Sequence, residues 1–250
     1  MSEGGSFLIT GATGPVAEAT IALLAKRGDA LLLTGRNKER LAELDRDYGV
    51  PGRIETFAVD VTAEGGAAAA AEAAVSRLGR LDGLIHMVGG FHAGPVFVTA
   101  IEDYERLLLV NFLSAVRATQ AVLPHLKGGG RLVFFGSPLA NEPLAALGGY
   151  AASKAALLTW MRSLSHEVKH QGVHANALIM TMADTPQARQ ERPNVDFSQA
   201  ISPELVARAV AFLTSEASDG LYGGLVPVMG TFGFSSSLAG PPPGRPGKAR

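Results

Sequence analysis

The chain has 250 residues, a formal net charge of −1 and no cysteine, and its length suits one large α/β domain with a full core. The lack of cysteine excludes disulfides and thiolate metal sites, and the near-neutral charge argues against nucleic acid or an anionic membrane as the main partner. We expect neither a signal peptide nor an apolar stretch long enough to span a bilayer, so the sequence predicts a cytoplasmic protein.

Short apolar runs alternate along the chain with longer segments of helical character. Several runs are apolar at nearly every position, as in strands that are buried on both faces. Their alternation with helices predicts a doubly wound α/β fold with one seven-stranded parallel sheet, in a single domain over residues 1–238. The predicted strands are 7–10, 30–34, 54–59, 83–88, 131–135, 174–179 and 224–228, and the predicted helices are 15–27, 37–48, 62–78, 101–126, 150–170 and 203–214.

A glycine-rich turn, TGATGPVAEA at 10–19, follows the first predicted strand. Gly11 allows a tight turn, and Gly14 lets the backbone approach a pyrophosphate. The next helix directs free N–H groups and its positive dipole end at the phosphates, although Pro15 removes one such N–H. With a strand before it and a helix after it, this turn predicts dinucleotide binding rather than a plain strand–helix connection.

Residues after the second and third strands bear on which dinucleotide is bound. NAD binders tend to carry an acid about 20 residues after the first glycine, and Gly35 and Arg36 stand there instead. An arginine suits a ribose 2′-phosphate, so NADP(H) is favoured over NAD(H), although Arg36 could simply be exposed at a helix start. Asp60 could accept a hydrogen bond from the adenine amino group, or it could begin the next helix with Thr62 as N-cap.

The stretch GGYAASK, at 148–154, places Tyr150 and Lys154 four residues apart on one helix face. A nearby ammonium can lower the pKa of a phenol from about 10 by roughly 1–3 units, which would let Tyr150 act as an acid/base. Ser137 follows the fifth strand at the carboxyl edge of the sheet, where ligands bind in such folds. The alternatives are an amphipathic helix start with a solvent-reaching lysine and, for Ser137, a turn beside Pro138.

Several motifs occur together along the chain: TGATGPVA, VDV (59–61), VGG (88–90), VN (110–111), Ser137, YAASK, a Ser–Tyr spacing of thirteen and VPVMGTF (226–232). With these motifs the chain resembles the short-chain dehydrogenase/reductase family over nearly all of residues 6–232. This resemblance implies a Rossmann-type fold and hydride exchange between a nicotinamide cofactor and a carbonyl or alcohol. The sequence departs from the family pattern in TGxxGxxA for TGxxxGxG, in HMVG (86–89) for NNAG, and in Met180-Thr181 for Pro-Gly.

The resemblance also implies a role for each of five residues. Tyr150 would be the catalytic acid/base, Lys154 would hold the nicotinamide ribose and lower the pKa of Tyr150, and Ser137 would bind the substrate oxygen. Asn111 would anchor a water that links Lys154 to solvent. Thr185 would contact the nicotinamide carboxamide, unless it is a turn residue before the proline next to it. The predicted cofactor-binding residues are Gly11, Thr13, Gly14, Pro15, Val16, Arg36, Asp60, Val61, Gly89, Tyr150, Lys154 and Thr185.

Two segments near the end of the chain have unusual composition. Residues 186–201 are polar with two prolines and predict a lid, in which Arg189 and Arg192 could meet an acidic substrate or only solvent. The Pro/Gly-rich tail, 239–250, cannot build a core and predicts a flexible arm, unless a neighbouring subunit holds it.

Three histidines recur at a spacing of four residues, which could suggest a metal site. The third of them is expected to begin the sixth strand, and no carboxylate cluster accompanies them, so solvated side chains and no metal are expected. They are His166, His170 and His174.

These features together predict an NADP(H)-dependent carbonyl reductase or alcohol dehydrogenase with a small-molecule substrate and no nucleic acid or membrane partner. The resemblance implies a homotetramer or homodimer. One alternative is an NADP(H)-binding sensor or scaffold with little turnover, because HMVG and Met180-Thr181 are altered. Another is an epimerase or dehydratase of the extended branch, disfavoured because few residues follow 200 for an extra substrate domain.

Overall fold

A seven-stranded, all-parallel sheet forms the centre of the computed structural model, which describes residues 4–191 and 193–230. Arg192, the end of the 226–232 motif and the tail 239–250 lie outside the described residues. All seven predicted strands are present, and their spatial order is β3-β2-β1-β4-β5-β6-β7. Their bounds are β1 Ser6–Thr10, β2 Ala30–Gly35, β3 Ile54–Ala58, β4 Gly83–His86, β5 Gly130–Gly136, β6 Val173–Met180 and β7 Leu225–Val228.

Helices connect the strands, close to the predicted positions. Their bounds are α1 Ala17–Arg27, α2 Lys38–Tyr48, α3 Gly66–Leu78, α4 Ile101–Leu108, α5 Ser114–Val122, α6 Gly148–Val168, α7 Pro186–Glu191 and α8 Pro203–Leu213. The predicted helix 101–126 is continuous but changes character: one π-turn, Leu109–Leu113, joins α4 to α5. The predicted lid begins with the short helix α7.

The two faces of the sheet bury separate cores, because successive strand side chains point to opposite faces. Leu8, Leu32 and Leu84 pack with α3, α5 and α6 on one face. Phe7 and Ile9 pack with α1, α2 and α8 on the other. Covering both faces explains why the strands are apolar throughout rather than alternating.

The chain reverses its direction of travel across the sheet between β1 and β4, which are neighbours in the order above. The loops that come after these two strands therefore diverge to opposite faces and leave a crevice at the carboxyl edge. The Met87 N–H donates to the Thr10 carbonyl at 2.9 Å, which holds the two strand ends together. The glycine-rich turn and the residues after β4 thus meet at this crevice.

One expectation about apolar length is wrong. Among the described residues, the helical stretch Ile101–His125 is long and apolar enough, by length and composition alone, to cross a membrane. Core helices pass the same test, and this one packs α4 against α6 and α5 against α3 and β4.

The predicted start of the third helix is also wrong. Helix α3 begins at Gly66, with Gly65 as N-cap in the left-handed conformation. Thr62 is not the N-cap, because its N–H and hydroxyl both bond Asp60 Oδ1, at 2.9 and 2.6 Å. This local turn satisfies the Thr62 donors and delays the helix by four residues.

Candidate active site

The turn after β1 is built for close backbone approach. Gly11 has φ +75°, and a Cβ there would lie 2.8 Å from backbone atoms of Met87 and Val88. Helix α1 begins at Ala17, and its N-cap, Val16, supplies no side-chain hydrogen bond. The first turn of α1 therefore has no side-chain acceptor at its N-cap, which suits an anionic group of a ligand.

A cleft of about 350 Å³ opens at the crevice between β1 and β4. It brings together eight of the predicted cofactor-binding residues, while Val16, Tyr150, Lys154 and Thr185 are not in its wall. The predicted residues in its wall are Gly11, Thr13, Gly14, Pro15, Arg36, Asp60, Val61 and Gly89. Other residues of the wall, among them Met87, Val110 and Gln187, are not among the predicted cofactor-binding residues. Gln187 lies on α7, so the predicted lid reaches this cleft.

Arg36 and Asp60 face each other across one end of the cleft. Arg36 Nη1 lies 3.7 Å from Asp60 Oδ2, and the Arg36 side chain is 76% exposed. Burial alone would raise the pKa of Asp60, but hydrogen bonds from Thr62 and the charge of Arg36 outweigh it and lower that pKa. Asp60 is thus a carboxylate at neutral pH, beside an arginine that remains accessible to a ligand.

Tyr150 and Lys154 lie one turn apart on α6, as predicted. The Phe91 ring packs edge-on against the Tyr150 ring, with centroids 5.0 Å apart. Lys154 is buried, its Nζ donates to the Phe135 carbonyl at 2.8 Å, and burial lowers its pKa from 10.5 to about 8. The ammonium is therefore still protonated at neutral pH and keeps its positive charge near the phenol.

Asn111 lies in the π-turn and is fully buried. Its Nδ2 donates to the Gly90 carbonyl and to Ser153 Oγ, each at 2.9 Å, and its Oδ1 accepts from the Gly90 N–H at 2.9 Å. A Cβ on Gly89 would lie 3.2 Å from Asn111 Oδ1 and 3.5 Å from Lys154 Nζ. Asn111, Lys154 and the floor of the cleft are therefore in contact at Gly89.

Ser137 directly follows β5, and Thr185 lies five residues after the end of β6, just before α7; both side chains are buried. Ser137 Oγ accepts from the Leu139 N–H at 3.3 Å, a long bond that a ligand could replace. Thr185 Oγ1 accepts from the Ala188 N–H at 3.1 Å in the first turn of α7. Both hydroxyls thus accept a local backbone N–H, as expected if these residues belong to turns. Their contacts with substrate or cofactor stay predictions.

The loop between Ser137 and Tyr150 is tied to the loop after β4. Ala146 has φ 63°, the one positive φ among non-glycine residues in the ranges 4–191 and 193–230. Its carbonyl accepts from the Gly94 N–H at 2.7 Å. A strained residue held this way is typical of functional sites, and no sequence signal predicts it.

His86, which stands in the altered HMVG motif, is buried at the end of β4. Its Nδ1 lies 2.8 Å from Thr10 Oγ1, and its Nε2 lies 3.0 Å from Ser114 Oγ. His86 thus braces β4 against β1 and α5, a role that the motif itself does not predict.

The other candidate ligand groups are partnered or dispersed. Arg189 forms a two-bond ion pair with Asp184 and lies over the Phe197 ring, 5.1 Å from its centroid. His174 is buried and stacks on Tyr222, so the prediction of a solvated side chain is wrong for this histidine. No group of three potential metal ligands occurs in the described part of the chain.

Comparison with known proteins adds a family and several relatives. The family model described as short chain dehydrogenase matches residues 6–196. An uncharacterized oxidoreductase of Mycobacterium tuberculosis is 32% identical over 232 residues, covering 85% of each chain. The 3-oxoacyl-[acyl-carrier-protein] reductase FabG of Thermotoga maritima is 27% identical over 243 residues, covering 90% of this chain and 98% of its own.

Among solved structures, a blue fluorescent protein from a metagenomic library, in complex with NADPH, superimposes with a TM-score of 0.82. It is 27% identical in sequence, and the match covers 92% of this chain and 98% of that one. The likeness therefore extends over nearly the whole chain rather than over the nucleotide-binding turn alone.

Proposed function

Because this chain belongs to the short-chain dehydrogenase/reductase family, we propose that it interconverts a carbonyl and a secondary alcohol with NADP(H) as cofactor. Family membership makes it an oxidoreductase that acts on CH–OH or C=O groups with a nicotinamide dinucleotide. The preference for NADP(H) and the roles of individual residues are the proposal.

One observation gives the main support for this proposal: one end of the nucleotide cleft lies beside the buried Lys154 ammonium. Gly89 belongs to the cleft wall, and a methyl group there would almost touch Lys154 Nζ. A dinucleotide that fills the cleft from Arg36 to Gly89 would bring its far end to Lys154 and Tyr150. At this point Lys154 could both hold the nicotinamide ribose and lower the pKa of Tyr150, which are the two roles that the proposal gives it.

The residues present fit the cofactor. Gly11 and Gly14 line the cleft with backbone that a pyrophosphate can approach, the N-terminus of α1 has no side-chain cap, and Arg36 can meet a 2′-phosphate. The relative that was solved with NADPH supports the same preference. Bound NADPH would supply the hydride; the protein supplies the remaining steps.

In the proposed reduction, Tyr150 donates its phenolic proton to the substrate oxygen as the carbonyl is reduced. Lys154, protonated below a pKa of about 8, stabilises the phenolate that remains. Ser137 exchanges its weak bond to Leu139 for one to the substrate oxygen. Asn111 fixes the loop after β4 at Gly90, so that Lys154 and the cleft keep their spacing.

The test is NADPH oxidation with a panel of ketones and aldehydes, comparing the wild type with Tyr150→Phe. Loss of the proton donor should lower kcat/KM by at least about 100-fold. Tyr222→Phe removes a phenol next to His174, at the opposite edge of the sheet, and should keep the wild-type rate. Equal rates in wild type and Tyr150→Phe would contradict the assigned acid/base.

The same assay separates the sensor or scaffold alternative. Tight NADP(H) binding, measured by fluorescence titration, without turnover on any carbonyl would favour that alternative. The altered motif now gives it less support, because His86 satisfies its bonds inside the fold.

We also propose that the protein is cytoplasmic and forms a homodimer or homotetramer. Ile101, Leu108 and Leu113 are 65%, 39% and 41% exposed along one long helix, which supports a helix–helix contact between subunits. Light scattering would give the mass, and a monomer would contradict the assembly.

A further inference from the structure

We infer that His86 is a positioning residue, which couples the nucleotide-binding turn after β1 to the π-turn that carries Asn111. The catalytic consequence rests on the proposed function. The coupling itself rests on three hydrogen bonds and the burial of the groups that make them.

The bonds of Ser114 assign the protons of His86. Ser114 Oγ lies 2.6 Å from the Val110 carbonyl, which can only accept, so the Ser114 hydroxyl donates there. Ser114 Oγ is therefore the acceptor for a proton on His86 Nε2, at 3.0 Å. His86 Nδ1 then carries no proton and accepts from the Thr10 hydroxyl at 2.8 Å. His86 is thus a neutral Nε2–H tautomer with both nitrogens bonded.

Ser114 also defines the π-turn. Its backbone N–H donates to the Leu109 carbonyl, five residues back, where an α-helix would use Val110. The Val110 carbonyl, which the backbone passes over, accepts the Ser114 hydroxyl instead. By accepting His86 Nε2–H, that hydroxyl is held in the orientation that closes the π-turn.

The π-turn sets the position of Asn111, and Asn111 in turn holds both backbone groups of Gly90. Val110, inside the same turn, lines the nucleotide cleft. At its other end, His86 holds Thr10, the residue before Gly11. A single buried side chain thus links the turn that would bind phosphates to the residues around Lys154.

The surroundings of His86 keep it neutral. Thr10, Ser114 and His86 are each at most 1% exposed, and the Phe134 ring lies 6.4 Å from the imidazole. Burial, and then the charge of Lys154, lower the pKa of His86 to about 3. Lys154 is the charged group that lowers the pKa of His86. Protonating His86 would bury a second positive charge together with the Lys154 ammonium.

The first test is ¹⁵N NMR of histidine-labelled wild-type protein, which reports tautomer and protonation without any activity. We expect one buried histidine, absent in His86→Leu spectra, to show the neutral Nε2–H pattern unchanged between about pH 5 and pH 8. A His86 signal that titrates in this range, or an Nδ1–H pattern, would overturn the assignment.

The second test compares Ser114→Ala with Thr119→Val on the same helix. Thr119 is also buried, but its hydroxyl has no hydrogen-bond partner among the described residues, so its loss should leave kcat unchanged. Ser114→Ala should lower kcat at least about tenfold while the carbonyl KM changes much less, because positioning acts in the transition state.

Circular dichroism and the thermal midpoint would check that Ser114→Ala and Thr119→Val are folded at the assay temperature. If His86→Leu does not fold, the comparison of Ser114→Ala with Thr119→Val tests the coupling. Equal kcat in Ser114→Ala and Thr119→Val would overturn the coupling. An inactive wild type would instead contradict the proposed function, while the NMR result would still decide the tautomer.

Discussion

Lys154 carries a charge in a place that disfavours it. The residue is only 6% exposed, and its ammonium donates to one carbonyl on β5. Each unit of pKa shift corresponds to about 1.4 kcal/mol, so the fall from 10.5 to about 8 implies a cost on the order of 3 kcal/mol at neutral pH. The proposed catalysis explains why such a residue is kept, since activity and stability often conflict at active sites.

Replacing this lysine should therefore stabilise the protein while abolishing activity. We expect Lys154→Met to raise the thermal midpoint by roughly 6–12 °C at pH 7, since 1 kcal/mol shifts the midpoint of a domain of this size by about 2–4 °C. The gain in stability of Lys154→Met over wild type is complete below about pH 8 and shrinks towards pH 10.5. In this range Lys154 of the folded wild type has released its proton while Lys154 of the unfolded chain still holds it, which removes the cost of burying the charge. Thermal denaturation followed by circular dichroism at pH 7 and pH 10 measures it.

Lys169→Met serves as the control, because Lys169 is exposed just after α6 and its replacement should change stability by less than about 0.5 kcal/mol. Equal midpoints of wild type and Lys154→Met at pH 7 would refute a free-energy cost of burying the Lys154 charge. A midpoint difference between the two that is larger at pH 10 than at pH 7 would refute it as well.

Residue types identified most of the candidate site before its geometry was known. Gly11, Tyr150 and Lys154 stand in patterns whose chemistry is local, within one turn or one helix face. The partners of His86 could not be predicted this way, because Thr10 and Ser114 lie 76 and 28 positions away along the chain.

At the scale of elements, the start of α6 fits closely against α4. A Cβ on Gly149 would lie 3.0 Å from Tyr104 Cδ1 and 3.1 Å from Leu107 Cδ1, whereas a Cβ on Gly148 would meet nothing within 4 Å. The missing side chain of Gly149, the residue before Tyr150, thus lets the start of α6 approach α4 closely. The missing side chain of Gly148 does not contribute to this contact.

These adjacent glycines make a matched pair. Gly148→Ala should stabilise the protein by roughly 0.5 kcal/mol, because alanine lowers the entropy of the unfolded chain at no steric cost. Gly149→Ala should instead be destabilising and lower kcat, since the added methyl pushes Tyr150 and its helix away from α4. Urea unfolding with NADPH oxidation measures both, and a stable, fully active Gly149→Ala would refute the close fit.

Boundaries of elements were less predictable than their existence. Each strand is marked by an apolar run, but the start of α3 depends on how Asp60 binds the Thr62 donors. The π-turn is likewise decided by Ser114 and its tertiary partner, not by the helix propensity of 109–113.

At the scale of the whole molecule, the cleft lies where the sheet order reverses and two cores diverge. A ligand there contacts residues after β1, β2, β3 and β4 at once. Binding should therefore stabilise the entire domain, by about 2.7 kcal/mol at 100-fold excess over Kd. General rules for parallel sheets predict one doubly wound sheet, but they predict neither its strand order nor the lid contact through Gln187.

Thermal shift with each cofactor tests the NADP(H) preference. NADPH should raise the wild-type midpoint more than NADH does at equal concentration. Arg36→Ser should weaken NADPH binding about tenfold or more, by the loss of a charged hydrogen bond, and leave NADH binding nearly unchanged.

Arg46→Ser, on the exposed side of α2, removes the same charge away from the cleft and should alter neither cofactor. An equal loss of NADH and NADPH affinity in Arg36→Ser would show that Arg36 does not bind the 2′-phosphate.

The π-turn at 109–113 puts one extra residue into a long helix. Because the Ser114 N–H bonds the Leu109 carbonyl five residues back, the extra residue is taken up within one wide turn and does not rotate the rest of the helix by the roughly 100° of an α-helical insertion. The segment before the turn can therefore pack on α6 and the segment after it on α3, while the sequence positions that face these neighbours shift by one residue. Deleting a single residue there should restore α-helical spacing with little rotation of the flanking segments, and it would remove the wide turn that carries Asn111.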